Sequence, residues 1–168
     1  MLSAVQVANT FLLLGWKDRS VPVIDQMKLE KLLFYSQAWY LAMYDSPLFA
    51  EDFEAWPLGP VVRNVYVQTE FFGRDEVTAL LTLQPFTDHH YQFLAPAIAD
   101  DDALHVEFVH SMWESHKNYS GVQLSNAAHL PGEPWTLIKE AYGSLDSKPI
   151  IPNDLIASVY KKKLERSR

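Results

Sequence analysis

The sequence predicts a mainly α-helical, compact single domain of six or seven helices with a small β element, spanning residues 1–168. Apolar residues recur at helical spacing in most segments, and residues typical of helix starts and ends separate those segments. No internal repeat, low-complexity tract or linker divides the chain. With 48% hydrophobic residues, a chain of 168 residues buries a sizeable core without disulfides or metals.

The N-terminal part predicts two helices. Ser3 and Gln6 form a capping box ahead of an apolar run, which predicts a helix over residues 4–14 with Gly15 ending it. Asp25 is the expected N-cap of QMKLEKLLFYSQAWYLAMY, which is apolar nearly all round and is therefore expected at the centre of the fold. The polar residues that interrupt its apolar surface are Lys28, Glu30, Lys31, Ser36 and Gln37.

A corner follows the second helix, in the stretch EAWPLGPVVRNVY. The sequence predicts a short strand near residues 49–56, and the next proline keeps Trp56 extended. Gly59 permits backbone angles that other residues avoid. Pro60 is expected as the first residue of the next helix, which Gly73 ends. The stretch therefore predicts a strand-to-helix corner.

Residues 77–95 predict a short hairpin, because VTALLTLQ and YQFLA flank the polar stretch PFTDHH. A helix over residues 76–83 is the alternative. Residues 101–118 form the clearest amphipathic helix, with Asp101 or Asp102 as its cap rather than as a catalytic acid.

Three further helices complete the prediction, and the first of them is short. Ser120 and Gln123 form a second capping box, which opens the first of them. Pro134 opens the next helix, which ends at Gly143, and Pro152 opens the last one.

The charge is unevenly distributed. The net charge of the chain is −7. The last eight residues, KKKLERSR, carry five Lys/Arg and one Glu, which gives +4, so residues 1–160 carry −11. An acidic body is repelled by phosphate backbones, which disfavours a nucleic-acid partner. The basic tail is interpreted as a solvated helix end, with contact to nucleic acid or to an acidic partner as the alternative.

The compartment prediction depends on cysteine and hydropathy. The chain has no cysteine, which excludes disulfides, thiolate metal sites and cysteine hydrolase chemistry, and agrees with a reducing compartment. The apolar run FLLLG is far too short to span a bilayer. We therefore expect a cytoplasmic protein without a membrane partner.

No pattern indicates an enzyme, a metal or a cofactor. His105, His110 and His116 are spaced five and six apart, so they diverge on a helix, and His89 and His90 point to opposite faces of a strand. The chain has no G-x-S-x-G and no phosphate-binding glycine loop. We expect a non-enzyme, with a hydrolase that uses His129 or His110 and a nearby carboxylate as the weaker alternative.

Aromatic residues are abundant, with five Trp and eight Tyr. Their apolar or corner contexts favour core positions for Trp39, Trp56 and Trp113. The alternative is a partner-binding groove, since Trp and Tyr are enriched at binding hot spots. Both interpretations hold if the aromatic residues line the rim of a groove.

Three stretches together resemble one family. KLEKLLFYSQAWYLAMYDSPLF resembles the signature helix of the Panacea domain, the SocA-like antitoxin family. EAWPLGPVVRNVY resembles the family's corner, and LSNAAHLPGEPW resembles its later His and Pro-Trp segment. The stretches occur in family order between residues 28 and 135.

The resemblance implies a mainly helical cytoplasmic protein of bacteria or phages that neutralises a cognate protein toxin by direct binding. The alternative is an adaptor that presents the toxin to a cellular protease. The resemblance implies no catalytic residue. The candidate motif or partner-binding positions are Lys28, Lys31, Tyr35, Trp39, Trp56, Gly59, Pro60, Arg63, Tyr66, His129 and Trp135.

Overall fold

A computed structural model describes residues 1–83 and 94–168 of the chain. Seven α-helices and three short strands lie in these two ranges, which confirms a mainly α fold with a small β element. In chain order the elements are α1 (Ala4–Lys17), α2 (Gln26–Tyr44), β1 (Phe53–Trp56), β2 (Gly59–Val61), α3 (Arg63–Thr69), a 3₁₀ turn (Glu70–Phe72), α4 (Ala103–His116), α5 (Gly121–Ala128), α6 (Pro134–Tyr142), β3 (Ile150–Ile151) and α7 (Asn153–Arg166).

Helix α2 is the centre of the fold, as its apolar circumference predicts. Fourteen of its 19 residues are buried, and α1, α4, α5 and α7 pack around it. The five polar residues that interrupt its apolar surface are buried too. The Gln37 amide shows why, because its Oε1 accepts from the backbone N–H groups of Leu48 and Phe49 at 2.8 and 3.2 Å. Except for Ser36, whose hydroxyl donates to Leu32 O within α2, these side chains bind backbone groups of other segments.

The three strands form an antiparallel sheet in the order β2-β1-β3. Strand β1 confirms the strand predicted near residues 49–56. Trp56 pairs with Gly59 and Ala55 with Pro60, so the two residues between the strands form a tight hairpin turn. The expectation that Pro60 starts a helix is therefore wrong. Pairing with β1 continues through Val61, and α3 starts only at Arg63.

Most helix ends that the capping signals predicted are confirmed by the structure. The Ser3–Gln6 and Ser120–Gln123 capping boxes both form, and the side chains of Asp25 and Asp102 accept from N–H groups of the first turn. Helix α6 has its proline in the first turn, Gly143 follows its last residue, and Gly73 closes the 3₁₀ turn.

The prediction that Gly15 ends the first helix is wrong, because α1 continues to Lys17. A Cβ at Gly15 would lie 2.6 Å from Ile24 Cδ1 and 3.6 Å from the ring of Trp113. The glycine therefore allows close packing inside the helix rather than a C-terminal cap.

The hairpin predicted over residues 77–95 lies mostly outside the described residues, as do His89 and His90. The described part contains one antiparallel bridge, with Leu83 N–H donating to Leu94 O at 2.7 Å. Residues 77–82 form neither a helix nor a strand. Buried Asn9 holds this segment instead, since its side chain binds both backbone groups of Leu81 and the carbonyl of Pro96.

Candidate partner-binding site

The hairpin turn between β1 and β2 is held by side chains of α5 and α6. Trp135 Nε1 donates to Trp56 O at 2.7 Å, and Ser125 Oγ donates to Leu58 O at 3.0 Å. The ring of His129 lies between them, with Nε2 at 3.4 Å from Pro57 O and Nδ1 at 2.6 Å from Ser125 O. Three successive carbonyls of the turn therefore face one helical surface. Ser125, His129 and Trp135 therefore come together because they hold the backbone of the turn.

Gly59 lets the turn approach α2. Its φ is +114°, and a Cβ there would lie 2.7 Å from Lys31 Cε and 3.4 Å from His129 Cε1. Lys31 Nζ in turn donates to Pro60 O at 3.3 Å. Both the backbone angle and the close contact require glycine at this position.

A buried acid and a buried base lie beneath this turn on α2. Glu30 Oε2 accepts from Val62 N–H at 2.9 Å, whereas its Oε1 has no hydrogen-bond partner within the described ranges. Burial raises the pKa of Glu30, and burial lowers the pKa of Lys31. Each charge favours the ionised form of the other group. Glu30 and Lys31 therefore bind the backbone of the corner from its buried side, and a partner protein cannot reach them.

The outer face of the turn, in contrast, is exposed and carries cations on an aromatic ring. Lys148 Nζ lies 4.0 Å and the Arg63 guanidinium carbon 5.4 Å from the ring centre of Trp56. The Tyr66 ring centre lies 4.4 Å from that of Trp56. Leu58, at the tip of the turn, is 64% exposed. The cluster of Trp56, Tyr66 and Arg63 contains the three residue types that are enriched at binding hot spots.

The two cations differ in their further contacts. Arg63 donates to both oxygens of Glu54 at 3.0 and 2.8 Å, and the indole of Trp56 also donates to that carboxylate, at 2.7 Å. Lys148 adopts a left-handed backbone, with φ +48°. Such a backbone is uncommon for lysine.

A groove of about 460 Å³ opens on another side of α5, between α2, α4 and α7. Tyr35 and Trp39 line it, as does His116, whose ring centre lies 5.3 Å from that of Tyr35 in a stacked arrangement. Tyr35 OH donates to Leu124 O at 2.8 Å. The volume of the groove is in the range of small-ligand pockets. Its lining is aromatic, as expected for the partner-binding groove that was the alternative interpretation of the Trp and Tyr content.

The polar groups of the groove are centred on Glu133. Its Oε2 accepts from Tyr160 OH at 3.0 Å, and its Oε1 forms an ion pair with Lys163. Lys163 Nζ also lies 4.3 Å from the ring centre of Tyr160. Burial raises the pKa of Tyr35 and of Tyr160, and lowers the pKa of His116, so these groups are uncharged at neutral pH.

Lys28, a motif position, lies apart from both surfaces. Its Nζ donates to Pro22 O and to Lys117 O at 2.8 Å each, and lies 5.3 Å from the ring centre of Trp113. Burial lowers the pKa of Lys28 to about 8. The side chain binds the end of α4 and is fully buried, so it belongs to the core.

The structure thus divides the sequence candidates into three groups. Around the turn it brings together Lys31, Trp56, Gly59, Pro60, Arg63, Tyr66, His129 and Trp135. Tyr35 and Trp39 line the groove, and Lys28 lies in the core. Sequence reasoning missed Glu133, Lys148 and Lys163. Glu133 stands just before the proline of α6 and has no neighbouring pattern that marks it as a buried acid.

Within the described ranges, neither histidine of the hydrolase alternative contacts a carboxylate. His129 contacts two backbone carbonyls rather than a carboxylate, and His110 is exposed on α4. His105 does contact an acid, with Nδ1 at 2.7 Å from Asp102 and Nε2 at 3.1 Å from Tyr40 OH. Burial raises the pKa of Tyr40, which makes its hydroxyl a poorer nucleophile. Asp102 caps α4 as predicted and also orients His105.

Within residues 1–83 and 94–168, no group of three or more His, Cys, Asp or Glu residues is placed to hold a metal ion. In the same ranges, no helix is both long and apolar enough to cross a membrane.

Comparison with known proteins gives one match. A family model described as "Antitoxin SocA-like, Panacea domain" matches residues 29–136, which include most of α2, the corner, α4, α5 and the start of α6. Searches of curated proteins and of solved structures gave no match.

Proposed function

We propose a function from one premise: the chain belongs to the SocA-like antitoxin family with a Panacea domain. It acts as the antitoxin of a toxin–antitoxin pair and neutralises a cognate protein toxin by binding it directly. The family match over residues 29–136 is the observation that carries the proposal. In this proposal the chain works in the cytoplasm, by binding and without catalysis.

The exposed hairpin turn is the proposed toxin contact. Leu58 is 64% exposed at its tip, and Tyr66, Arg63 and Lys148 contact the ring of Trp56, which stands two residues before Leu58. The carbonyls of the turn are fixed from behind by Ser125 and Trp135, so this surface loses little conformational entropy on binding. A stable interface buries at least about 1,000 Å², and aromatic residues and arginine dominate the centre of such interfaces.

A growth-rescue experiment tests the proposal. The open reading frame next to the gene is expressed from one promoter and this chain from another. Growth arrest by the neighbour that this chain relieves, together with co-purification of the two proteins, supports neutralisation by direct binding. A harmless neighbour, or arrest that this chain does not relieve, contradicts the proposal.

A matched pair of variants tests the contact surface. Leu58→Asp places a charge at the tip of the turn, and Leu104→Asp places one on α4, where the leucine is 53% exposed. Both leucines are exposed, so neither change opens the core. Leu58→Asp is expected to abolish rescue and co-purification while Leu104→Asp retains both. Equal rescue by the two variants would place the contact elsewhere.

The amount of toxin separates blockade from the adaptor alternative. Direct neutralisation leaves the toxin present in full amount and bound to this chain. An adaptor lowers the toxin level, and deletion of the responsible protease restores that level. Immunoblots of the toxin in the rescue strain, with and without this chain, therefore decide between the two.

A further inference from the structure

The groove between α2, α4, α5 and α7 already contains a cation of its own chain. Lys163 Nζ pairs with Glu133 Oε1 and lies 4.3 Å from the ring centre of Tyr160. Trp39 packs edge-on against that ring, with the centres 5.0 Å apart. An ammonium group against a carboxylate and the face of a tyrosine combines a charge-assisted hydrogen bond with a cation–π contact.

The two members of this ion pair differ in burial. The Glu133 side chain is 8% exposed, whereas that of Lys163 is 35% exposed and reaches in from the last turns of α7. Glu133 is fixed, because its other oxygen accepts from Tyr160 OH at 3.0 Å. A buried, fixed carboxylate requires a cation, and the partly exposed ammonium group of Lys163 can move to water where another cation takes its place.

Space for a second side chain lies beside this pair. The groove has a volume of about 460 Å³, and its lining includes Tyr119 and Leu130, which are 49% and 56% exposed. These two residues present apolar surface to solvent at the entrance. The groove thus has an apolar entrance, aromatic walls and a carboxylate. A side chain with a long aliphatic stem and a positive charge at its end matches this arrangement.

We propose that the groove binds a lysine side chain of a partner protein, whose ammonium group takes the place of Lys163 on Glu133. The inference rests on the proposed function in one respect, that the chain has a protein partner. Lysine fits better than arginine because one carboxylate oxygen is held by Tyr160, which leaves a single oxygen for a point charge rather than two for a bidentate guanidinium. The net charge of −7 also attracts a basic partner.

The test uses the purified full-length chain and a small probe, Nα-acetyl-lysine methylamide, followed by NMR titration. We expect saturable binding that shifts the signals of Tyr119 and Leu130. The isosteric probe Nα-acetyl-norleucine methylamide lacks the charge and is expected to leave these signals in place. Equal shifts with both probes would overturn the proposal.

Two lysines on α7 provide a matched pair of variants. Lys163→Gln removes the internal competitor, and Lys162→Gln removes the same charge from an exposed position one residue earlier. Lys163→Gln is expected to tighten probe binding roughly tenfold or more, the effect of one freed charge-assisted hydrogen bond. Lys162→Gln serves as the baseline for the change in net charge. Equal affinities in the two variants would show that Lys163 does not compete for the site, against the proposal.

Glu133→Gln supplies the opposite change. Its amide oxygen still accepts from Tyr160 OH, but the negative charge is lost, so probe binding is expected to disappear. Lys163→Gln keeps the proposal falsifiable if Glu133→Gln unfolds. The titration contains no toxin and the rescue assay contains no probe. A flat titration therefore refutes the lysine site alone, and failed rescue refutes the antitoxin proposal alone.

Discussion

At the scale of single residues, buried charged side chains of α2 stabilise backbone segments that lie outside regular helices and long strands. Lys28 binds two carbonyls at the ends of neighbouring segments, and Lys31 binds the carbonyl of Pro60 under the turn. Burying a charge costs free energy that only good hydrogen bonds offset. Lys28 has two such bonds of 2.8 Å, whereas Lys31 has one of 3.3 Å. Lys28 therefore has the better hydrogen bonds, whereas the charge of Lys31 is favoured by the neighbouring Glu30 carboxylate.

Gly59→Ala is predicted to destabilise the protein more than Gly73→Ala. Both glycines have positive φ, but a Cβ at Gly59 would meet Lys31 at 2.7 Å whereas one at Gly73 has nothing within 4 Å. We expect a loss of about 3 kcal/mol at Gly59 and about 1 kcal/mol at Gly73, where only backbone strain acts. Urea unfolding of the two variants and the wild type measures both. Equal losses would mean that Lys31 moves aside freely.

The buried Lys28 is predicted to make the stability of the protein depend on pH. Burial lowers the pKa of Lys28 from 10.5 to about 8 in the folded protein, so the unfolded chain binds more protons between these values. Stability therefore rises with pH in this window, because the cost of the buried charge disappears as Lys28 is deprotonated. Between pH 8 and pH 10 the contribution is on the order of 2 kcal/mol. Tyr160 acts in the opposite direction at higher pH, since burial raises its pKa.

Lys28→Met is the variant that isolates this contribution. The free energy of unfolding of Lys28→Met is expected to rise less between pH 8 and pH 10 than that of the wild type. Lys17→Met removes an exposed lysine at the end of α1 and should keep the wild-type rise. Identical pH profiles for Lys28→Met and Lys17→Met would assign the rise to other groups.

At the scale of elements, the contact between the turn and α5 determines how the candidate surface is held. His129 lies at the end of α5, and its ring touches three parts of the structure: Ser125 O, Pro57 O and, at 4.0 Å between ring centres, Trp135. A residue with these contacts positions the turn. Its place in the sequence motif is explained by packing and hydrogen bonding between elements.

His129→Ala is therefore predicted to lower the free energy of unfolding by about 2 kcal/mol, through lost packing and an unpaired carbonyl. His110→Ala, on the exposed face of α4, should change it by less than about 0.5 kcal/mol. Thermal and urea unfolding provide the comparison. The hydrolase alternative predicts the reverse for His129, namely an unchanged melting temperature with lost activity, and that result would contradict the positioning role.

Local signals explain which elements were predictable. Capping at Ser3, Asp25 and Ser120 involves residues within one helical turn, so the sequence contains the whole interaction. Gly15 and Pro60 were assigned wrongly because tertiary contacts decide their conformation: Gly15 packs on Ile24, and Pro60 pairs with Ala55. Strand β3 has two residues and exists only through its pairing with β1, so no local pattern predicts it.

The same reasoning applies to the site. The corner residues were predictable as a set because they lie in two short stretches with unusual Pro, Gly and Trp content. Their roles were not predictable, since Lys31 approaches from α2 and Trp135 from α6. The Glu133–Lys163 pair joins residues 30 positions apart, and only the packing of α6 and α7 brings them together.

For the whole molecule, charge is divided between an acidic body and a basic C-terminal helix end. Residues 1–160 carry −11 and the last eight carry +4. Lys161 and Lys163 pair with Asp45 and Glu133, so part of the basic end is neutralised against the body. The interpretation of the tail as a helix end agrees with α7, which runs to Arg166 with cations in its last turn.

If the proposed toxin is basic, this distribution predicts that its association with the chain depends on salt. Long-range attraction raises the association rate, and ions screen it beyond about 10 Å at 0.1 M salt. We expect the rate to fall about tenfold between low and physiological ionic strength, while the dissociation rate changes much less. Stopped-flow association at increasing NaCl, with the toxin identified by the rescue assay, measures both rates. An association rate that does not change with salt would mean that short-range contacts, such as those at Leu58, set the encounter instead of the charge of the body.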